Sequence, residues 1–195
     1  MTTKKRGTHT IHSRAALAVL FFAVICVVSS CTLRPPRAEG LPVDVVKPTP
    51  ERLARGKYLV EHVAVCLDCH SKRDWDKFSG PIILGTEDQG GEVFDARQGV
   101  RGVVYGTNIT PAGVRHWTES ELLRAMTIGV NKEGRVLFLV MPYRSYQHLT
   151  KADGGAIITY LRTLKTIEHK VPSRRLNPLV KLFVRSCPKR YVWQT

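Results

Sequence analysis

Acidic residues are scarce in this 195-residue chain: 16 Asp and Glu stand against 30 Lys and Arg, for a formal net charge of +14. The first 30 residues contain none, while Lys4, Lys5, Arg6 and Arg14 are all basic. Long apolar runs are also lacking. The longest useful one, Ala15 to Val28 (AALAVLFFAVICVV), has 14 residues, short of the roughly 20 needed to span a bilayer as a helix. That excludes an ordinary transmembrane helix and leaves a secretory signal core behind a basic start. Methionine occurs three times and cysteine five times, so any role needing either residue has few candidates. No internal repeat is visible.

The segment Val28-Ser29-Ser30-Cys31 places small residues before a cysteine at the end of the apolar run. It resembles the lipobox of bacterial lipoproteins, in which the cysteine is lipidated and becomes the mature N-terminus. Ordinary cleavage before Cys31, or a short tilted anchor, are the alternatives. Residues 1–30 are therefore expected to be a signal peptide, with Cys31 as the lipidation site. Residues 31–49 read as a tether, because Pro35, Pro36, Pro42 and Pro48 block helix and favour extended backbone. The expected location is the periplasmic side of a membrane.

Among the cysteines, Cys66-Leu67-Asp68-Cys69-His70 has the spacing of a c-type haem attachment site. Two thiols on one helical turn can form thioethers to one porphyrin, and the following histidine then lies under the iron as axial ligand. A zinc site would need a second Cys or His pair at short spacing, and none is present. A thioredoxin-like site would need a βαβ context, which is also missing. Only one such motif occurs, so one covalent haem c is expected. Cys26 lies in the presumed signal core, and Cys187 is left over as a bystander.

Three helix starts follow from local chemistry. Thr49-Pro50-Glu51 supplies a capping hydroxyl, a first-turn proline and an acid, opening a helix that runs towards the haem motif. Gly56 within it suits a close approach by another helix, with Tyr58 and Tyr160 packing where the first and last helices cross. Thr118-Glu119-Ser120-Glu121 is a capping box for a helix from Glu119 to about Ile128, closed by Gly129. Thr150-Lys151-Ala152-Asp153 opens the last helix, through Ile157, Ile158, Tyr160, Leu161 and Leu164. The glycine-rich stretch from Ser71 to Trp117 is a long loop, and loops of that length are usually functional. Val100 to Tyr105 within it suits a short hairpin strand.

The chain from about Glu51 to Arg162 resembles a class I cytochrome c domain. A glycine–aromatic first helix, Cys-x-x-Cys-His, a long loop, Met141-Pro142 and a terminal helix occur in that order. Thr107-Asn108-Ile109-Thr110-Pro111, Trp117, the helix ELLRAM and Met141-Pro142-Tyr143-x-x-Tyr146 are similar to the cytochrome subunits of membrane-bound alcohol and aldehyde dehydrogenases. The tail from Lys165, including Lys170-Val171-Pro172, is similar to the extension after their first haem domain. Those subunits typically carry three haem domains, whereas this chain has one such motif. The resemblance implies an all-α class I fold of three to five helices around one haem, spanning residues 50–165, with long loops and a basic extension at 166–195.

It also implies that the second ring nitrogen of His70 donates to a proline carbonyl about a dozen residues on, and Ser79-Gly80-Pro81 nominates Pro81. For the sixth ligand Met141 is the candidate, since Met1 is the initiator and Met126 suits core filling; His148 and His116 are the rivals. Tyr105, Asn108, Trp117 and Arg144 can donate hydrogen bonds to haem propionates, and core burial is the other role open to Trp117.

With both axial positions filled the iron can only pass electrons. The expected function is therefore an electron carrier, not an enzyme, shuttling between an exported or membrane-bound dehydrogenase and a downstream acceptor. The alternative is a haem enzyme or gas sensor with an open or labile sixth site. The basic surplus points to redox partner proteins with acidic docking faces, not to nucleic acid. The N-terminal lipid or short anchor would supply membrane contact. A short basic amphipathic helix around Leu179, Lys181, Leu182, Phe183 and Arg185 could rest on anionic headgroups; a tail packed over the domain is the other arrangement.

Overall fold

A computed structural model describes residues 47–178, 180 and 181. The expected signal core with Cys26, the lipidation site at Cys31, Leu179, Leu182, Phe183, Arg185 and Cys187 lie outside the described residues, as does most of the expected tether.

Helix α1 (Pro50–Tyr58) starts as its sequence demands, with the Thr49 hydroxyl accepting from the Arg52 amide and proline in the first turn. It then loosens into a π-helical turn at Leu59–Val63, where the Ala64 amide reaches back five residues to the Leu59 carbonyl. Val65 follows at φ 42°, an unusual left-handed conformation for a β-branched residue. The kink restarts the chain as a single helical turn, α2 (Cys66–His70). The helix expected to run from Glu51 towards the haem motif is thus interrupted before it reaches Cys66.

A long loop carries β1 (Val93–Phe94) and β2 (Gly102–Tyr105) and ends in the short helix α3 (Pro111–Val114). Helix α4 (Glu119–Ile128) has both hydrogen bonds of the Thr118–Glu121 capping box and is closed by Gly129 at φ 72°. Helix α5 (Tyr143–Tyr146) follows Met141-Pro142, and α6 (Lys151–Leu161) opens under the Thr150 cap. Strand β3 (Arg175–Leu176) lies in the C-terminal extension.

The core sits between α1, α6 and α4. Leu59, Val60, Ala156, Ile157 and Leu161 form one buried cluster, and Val114, Leu122, Leu123 and Ile158 a second, with Met126 against both. Seven of the eight residues from Gly154 to Leu161 are buried, as befits a helix enclosed by its neighbours. The crossing of α1 and α6 depends on Gly56: a Cβ there would lie 2.2 Å from the Ala156 carbonyl oxygen. The expected close approach is therefore real. Tyr160 borders that crossing and donates to Glu61 at 2.6 Å, but Tyr58 is 52% exposed. The expectation that both tyrosines pack there is half corrected, because Tyr58 faces the solvent side of α1 beside Arg55 and His62.

The all-α expectation also needs correction. The described residues hold six α-helical segments and an antiparallel sheet in the order β1-β2-β3. The helix number exceeds three to five because α3 and α5 are single turns, one opening on Pro111 and the other following Pro142. The sheet arises where the chain doubles back, Val93 opposite Tyr105 and Phe94 opposite Val104. The extension adds Leu176 opposite Gly102 and Arg175 opposite Val103. No helix of the described residues is long and apolar enough to cross a membrane.

Candidate haem site

Helix α2 presents Cys66 and Cys69 as free, half-buried thiols, three positions apart on one turn. Burial, with the negative charge of Asp88 and the neighbouring Cys69 beside it, pushes the Cys66 thiol up to about 12. Burial also raises the Cys69 thiol, with Asp68 adding to it. A redox-active Cys-x-x-Cys needs a thiol lowered by nearby positive charge, and this environment does the reverse. Among the described residues no cluster of three or more His, Cys, Asp and Glu side chains is arranged to hold a bare metal ion.

His70 follows directly. Its Nδ1 lies 2.7 Å from the Thr107 carbonyl oxygen. A carbonyl only accepts, so Nδ1 carries the proton and Nε2 keeps its lone pair for a metal. Desolvation holds the ring below its usual titration range, the neutral form that ligates. Gly106 fits against this turn only as glycine, for a Cβ there would lie 1.8 Å from the Cys69 carbonyl oxygen. The Gly90 amide donates to the His70 carbonyl at 2.6 Å, and the Gly91 amide to that of Gly106 at 2.8 Å. The glycine-rich loop is thus folded directly onto the haem motif.

The acceptor for His70 is Thr107, not Pro81 as expected. The Pro81 carbonyl accepts instead from the Asp74 amide at 2.9 Å. That loop closes on itself because Arg73 donates to the carbonyls of Gly80 and Ser79 at 2.6 and 2.7 Å, reaches Asp68 at 3.2 Å and lies 4.9 Å over the Trp75 ring. Glu92 completes the closure by accepting from Trp75 Nε1 at 2.7 Å and from the Arg73 amide at 3.0 Å.

Met141 is half-buried in a tight turn, its amide donating to Phe138 and its carbonyl accepting from Tyr143. Five residues on, the Tyr146 hydroxyl donates to the Ala64 carbonyl at 2.7 Å. Burial and the two cysteines push the pKa of that phenol above its ordinary value, so it stays protonated and donates. Tyr146 therefore joins the segment after Met141 to the segment before Cys66, a role that sequence reasoning did not assign. Gly129 supports the same arrangement: a Cβ on it would strike the Tyr143 ring.

The expected propionate donors divide. Asn108 is excluded by its own bonds: its Nδ2 donates to the Ile167 carbonyl at 2.8 Å and the His169 carbonyl at 3.4 Å. Trp117 is half-buried against the cluster of Val114, Leu122, Leu123 and Ile158, with the Lys132 ammonium 6.0 Å over its ring. Tyr105 is half-buried in β2, and Arg144 is exposed on α5. The rival axial histidines are exposed and contact their sequence neighbours, His116 the Arg115 guanidinium and His148 the Gln147 amide.

The donor set fits haem c. Two free thiols stand at the attachment spacing, and one imidazole has a fixed tautomer. Val63 and Val65, directly before Cys66, and Leu139, two residues before Met141, carry exposed apolar side chains of the kind that suits an apolar macrocycle.

No family model matches the chain. Over 167 residues it is 30% identical to a nicotinate dehydrogenase subunit of Pseudomonas putida, covering 83% of this chain and 13% of that protein. It is 25% identical to the fructose dehydrogenase cytochrome subunit of Gluconobacter japonicus over 165 residues, 82% of this chain and 30% of that one. Over 109 residues it is 30% identical to the gluconate 2-dehydrogenase cytochrome c subunit of Pantoea cypripedii, 54% of this chain and 22% of that one. The chain spans less than a third of each of these relatives. It is a homologue of the cytochrome c subunits of dehydrogenases.

Proposed function

We propose that this chain is an exported monohaem c-type cytochrome, tethered at the membrane through Cys31, that carries single electrons from a dehydrogenase to a downstream acceptor. The observation that carries the reading is the α2 turn: two free thiols at the attachment spacing, followed by His70 with Nδ1 committed to Thr107 and Nε2 left for a metal. Cys66 and Cys69 would hold the group by thioethers, and His70 and Met141 would ligate its iron. Haem c bound there supplies a one-electron ferric–ferrous couple.

The residues around the site serve that couple in separable ways. The Thr107 carbonyl fixes the His70 ring and raises its basicity. A Met141 thioether favours the ferrous form and raises the potential. With His70 and Met141 both committed to the group, no ligand place would remain for a substrate, which separates a carrier from a catalyst. Its basic surplus would steer it to acidic faces on partner proteins. The homology to dehydrogenase cytochrome subunits supports a dehydrogenase as donor.

The test is a redox-difference spectrum with potentiometry on protein matured in a host that attaches haem. One haem per chain and a positive potential are expected, with slow carbon monoxide binding to the ferrous protein. Met141→Ala should lower the potential and make carbon monoxide binding fast. Rapid stoichiometric binding by the parent chain, or an unchanged spectrum and potential in the variant, would sink the carrier reading in favour of an open-site haem protein.

A further inference from the structure

The carbonyl that receives the His70 proton belongs to Thr107, and both neighbours of Thr107 are immobilised. On one side Gly106 is pressed against Cys69, its amide bonded to the Glu92 carbonyl at 2.9 Å. On the other side stands Asn108, 9% exposed, with every polar atom of its amide engaged. Its Oδ1 accepts from the Thr110 amide at 2.9 Å and the Thr110 hydroxyl at 2.7 Å. Its Nδ2 donates to the carbonyls of Ile167 and His169 in the C-terminal extension. The extension is itself secured elsewhere. His169 Nδ1 donates to the Gln89 carbonyl at 3.0 Å, and Arg174 donates to the Val136 carbonyl at 2.8 Å.

We propose that Asn108 is a positioning residue for electron transfer: it locks the Thr107 carbonyl onto His70 Nδ1, using the C-terminal extension as its anchor. The inference rests on the haem reading above. Its physical content is a link from the extension to the reduction potential. A strong Nδ1–H to carbonyl bond gives the imidazole more anionic character, which favours ferric iron and lowers the potential. Slackening the lock lengthens that bond and raises the potential. Residues 167–169 would then be part of the proximal side of the site, while Arg174 secures the extension at Val136, away from Thr107.

The experiment uses the full haem-loaded chain. Asn108→Ala should retain haem and a low-spin spectrum, shift the midpoint potential upward, and move the His70 Nδ1–H proton resonance of the ferrous protein upfield with faster solvent exchange. Thr110→Val, which deletes one of the bonds to Oδ1 and the hydroxyl's own contact with the Ile167 amide, should give a smaller shift in the same direction, and the double variant should fall short of the sum. Arg174→Ala loosens the extension away from Thr107 and should lower stability while leaving potential and resonance in place. Should Asn108→Ala fail to mature, Thr110→Val decides. Parental potential and resonance in Thr110→Val and in any haem-loaded Asn108→Ala overturn the inference, as does an equal shift in Arg174→Ala, which would mark a general loss of rigidity. A parent chain that takes no haem overturns the carrier reading and this one together, whereas a haem-loaded parent with unmoved variants overturns this one alone.

Discussion

At Gly106 one missing carbon atom decides whether the loop can lie on the haem motif. Any Cβ would stand 1.8 Å from the Cys69 carbonyl oxygen, and both residues sit in backbone that other bonds hold. Neither can yield without moving the His70 turn. Gly106→Ala is therefore expected to lose about 1–3 kcal/mol of stability and to attach less haem, read by denaturant midpoint and by haem content per chain. Parental values for both would mean that the loop does not pack on α2 as described. At this same scale the local chemistry of the sequence was readable and its long-range partners were not. The Cys66–His70 spacing announces its use because the thiols and the imidazole are adjacent. The acceptor for His70 lies 37 residues away, and no spacing rule distinguishes Thr107 from Pro81. Asn108 was misread for the same reason: an amide can donate to a propionate or to a carbonyl, and only the placement of the extension decides between them.

Elements with strong terminal signals stand where the sequence puts them. The capping box at Thr118 and the glycine at 129 bound α4, and the Thr150 hydroxyl opens α6. Elements of two to four residues are too short to show a period, so β1, β3, α3 and α5 left no trace beyond their prolines. The kink at Val65 was hidden too, because nothing in HVAVC marks a left-handed valine. Tyr146 is what makes that kink useful, since its hydroxyl takes up the Ala64 carbonyl that the broken helix leaves behind. Tyr146→Phe should cost about 1–2 kcal/mol, the penalty for a partly buried carbonyl left without its donor. Because α5 also carries the chain away from Met141, the ferrous variant should bind carbon monoxide faster than the parent. Parental stability and binding rate would show that the bond neither steadies the kink nor holds the Met141 turn.

Folding stability belongs to the whole molecule, and two carboxylates shape its pH dependence in opposite senses. Asp153 is held below its ordinary range by the Arg55 guanidinium, 2.8 Å away, and by the Thr150 hydroxyl. A depressed acid stabilises the fold above its unfolded value near 3.8 and loses that contribution as pH falls below it. Asp88 behaves the other way. Burial, with Glu61 and Glu87 nearby, pushes its carboxyl up to about 6, and its buried Oδ1 has no hydrogen-bond partner. The backbone there is fixed, with the Asp88 amide bonded to Ser71 Oγ and its carbonyl to the Ile109 amide. Below pH 4 both folded and unfolded chains hold this proton, and the group is neutral to stability. Between about pH 4 and pH 6 the unfolded chain releases it while the folded chain retains it. Stability then falls as pH rises, by on the order of 3 kcal/mol for a two-unit difference. In the haem-loaded protein, with His70 committed as a ligand, the Asp88 carboxyl should thus make stability fall between about pH 4 and pH 6. Urea midpoints across pH 3–7 would trace this profile. Asp88→Asn should remove the decline above pH 4 while keeping the loss at stronger acid, because it leaves the Arg55–Asp153 pair untouched. A parental decline that persists in the variant would show that another group carries it.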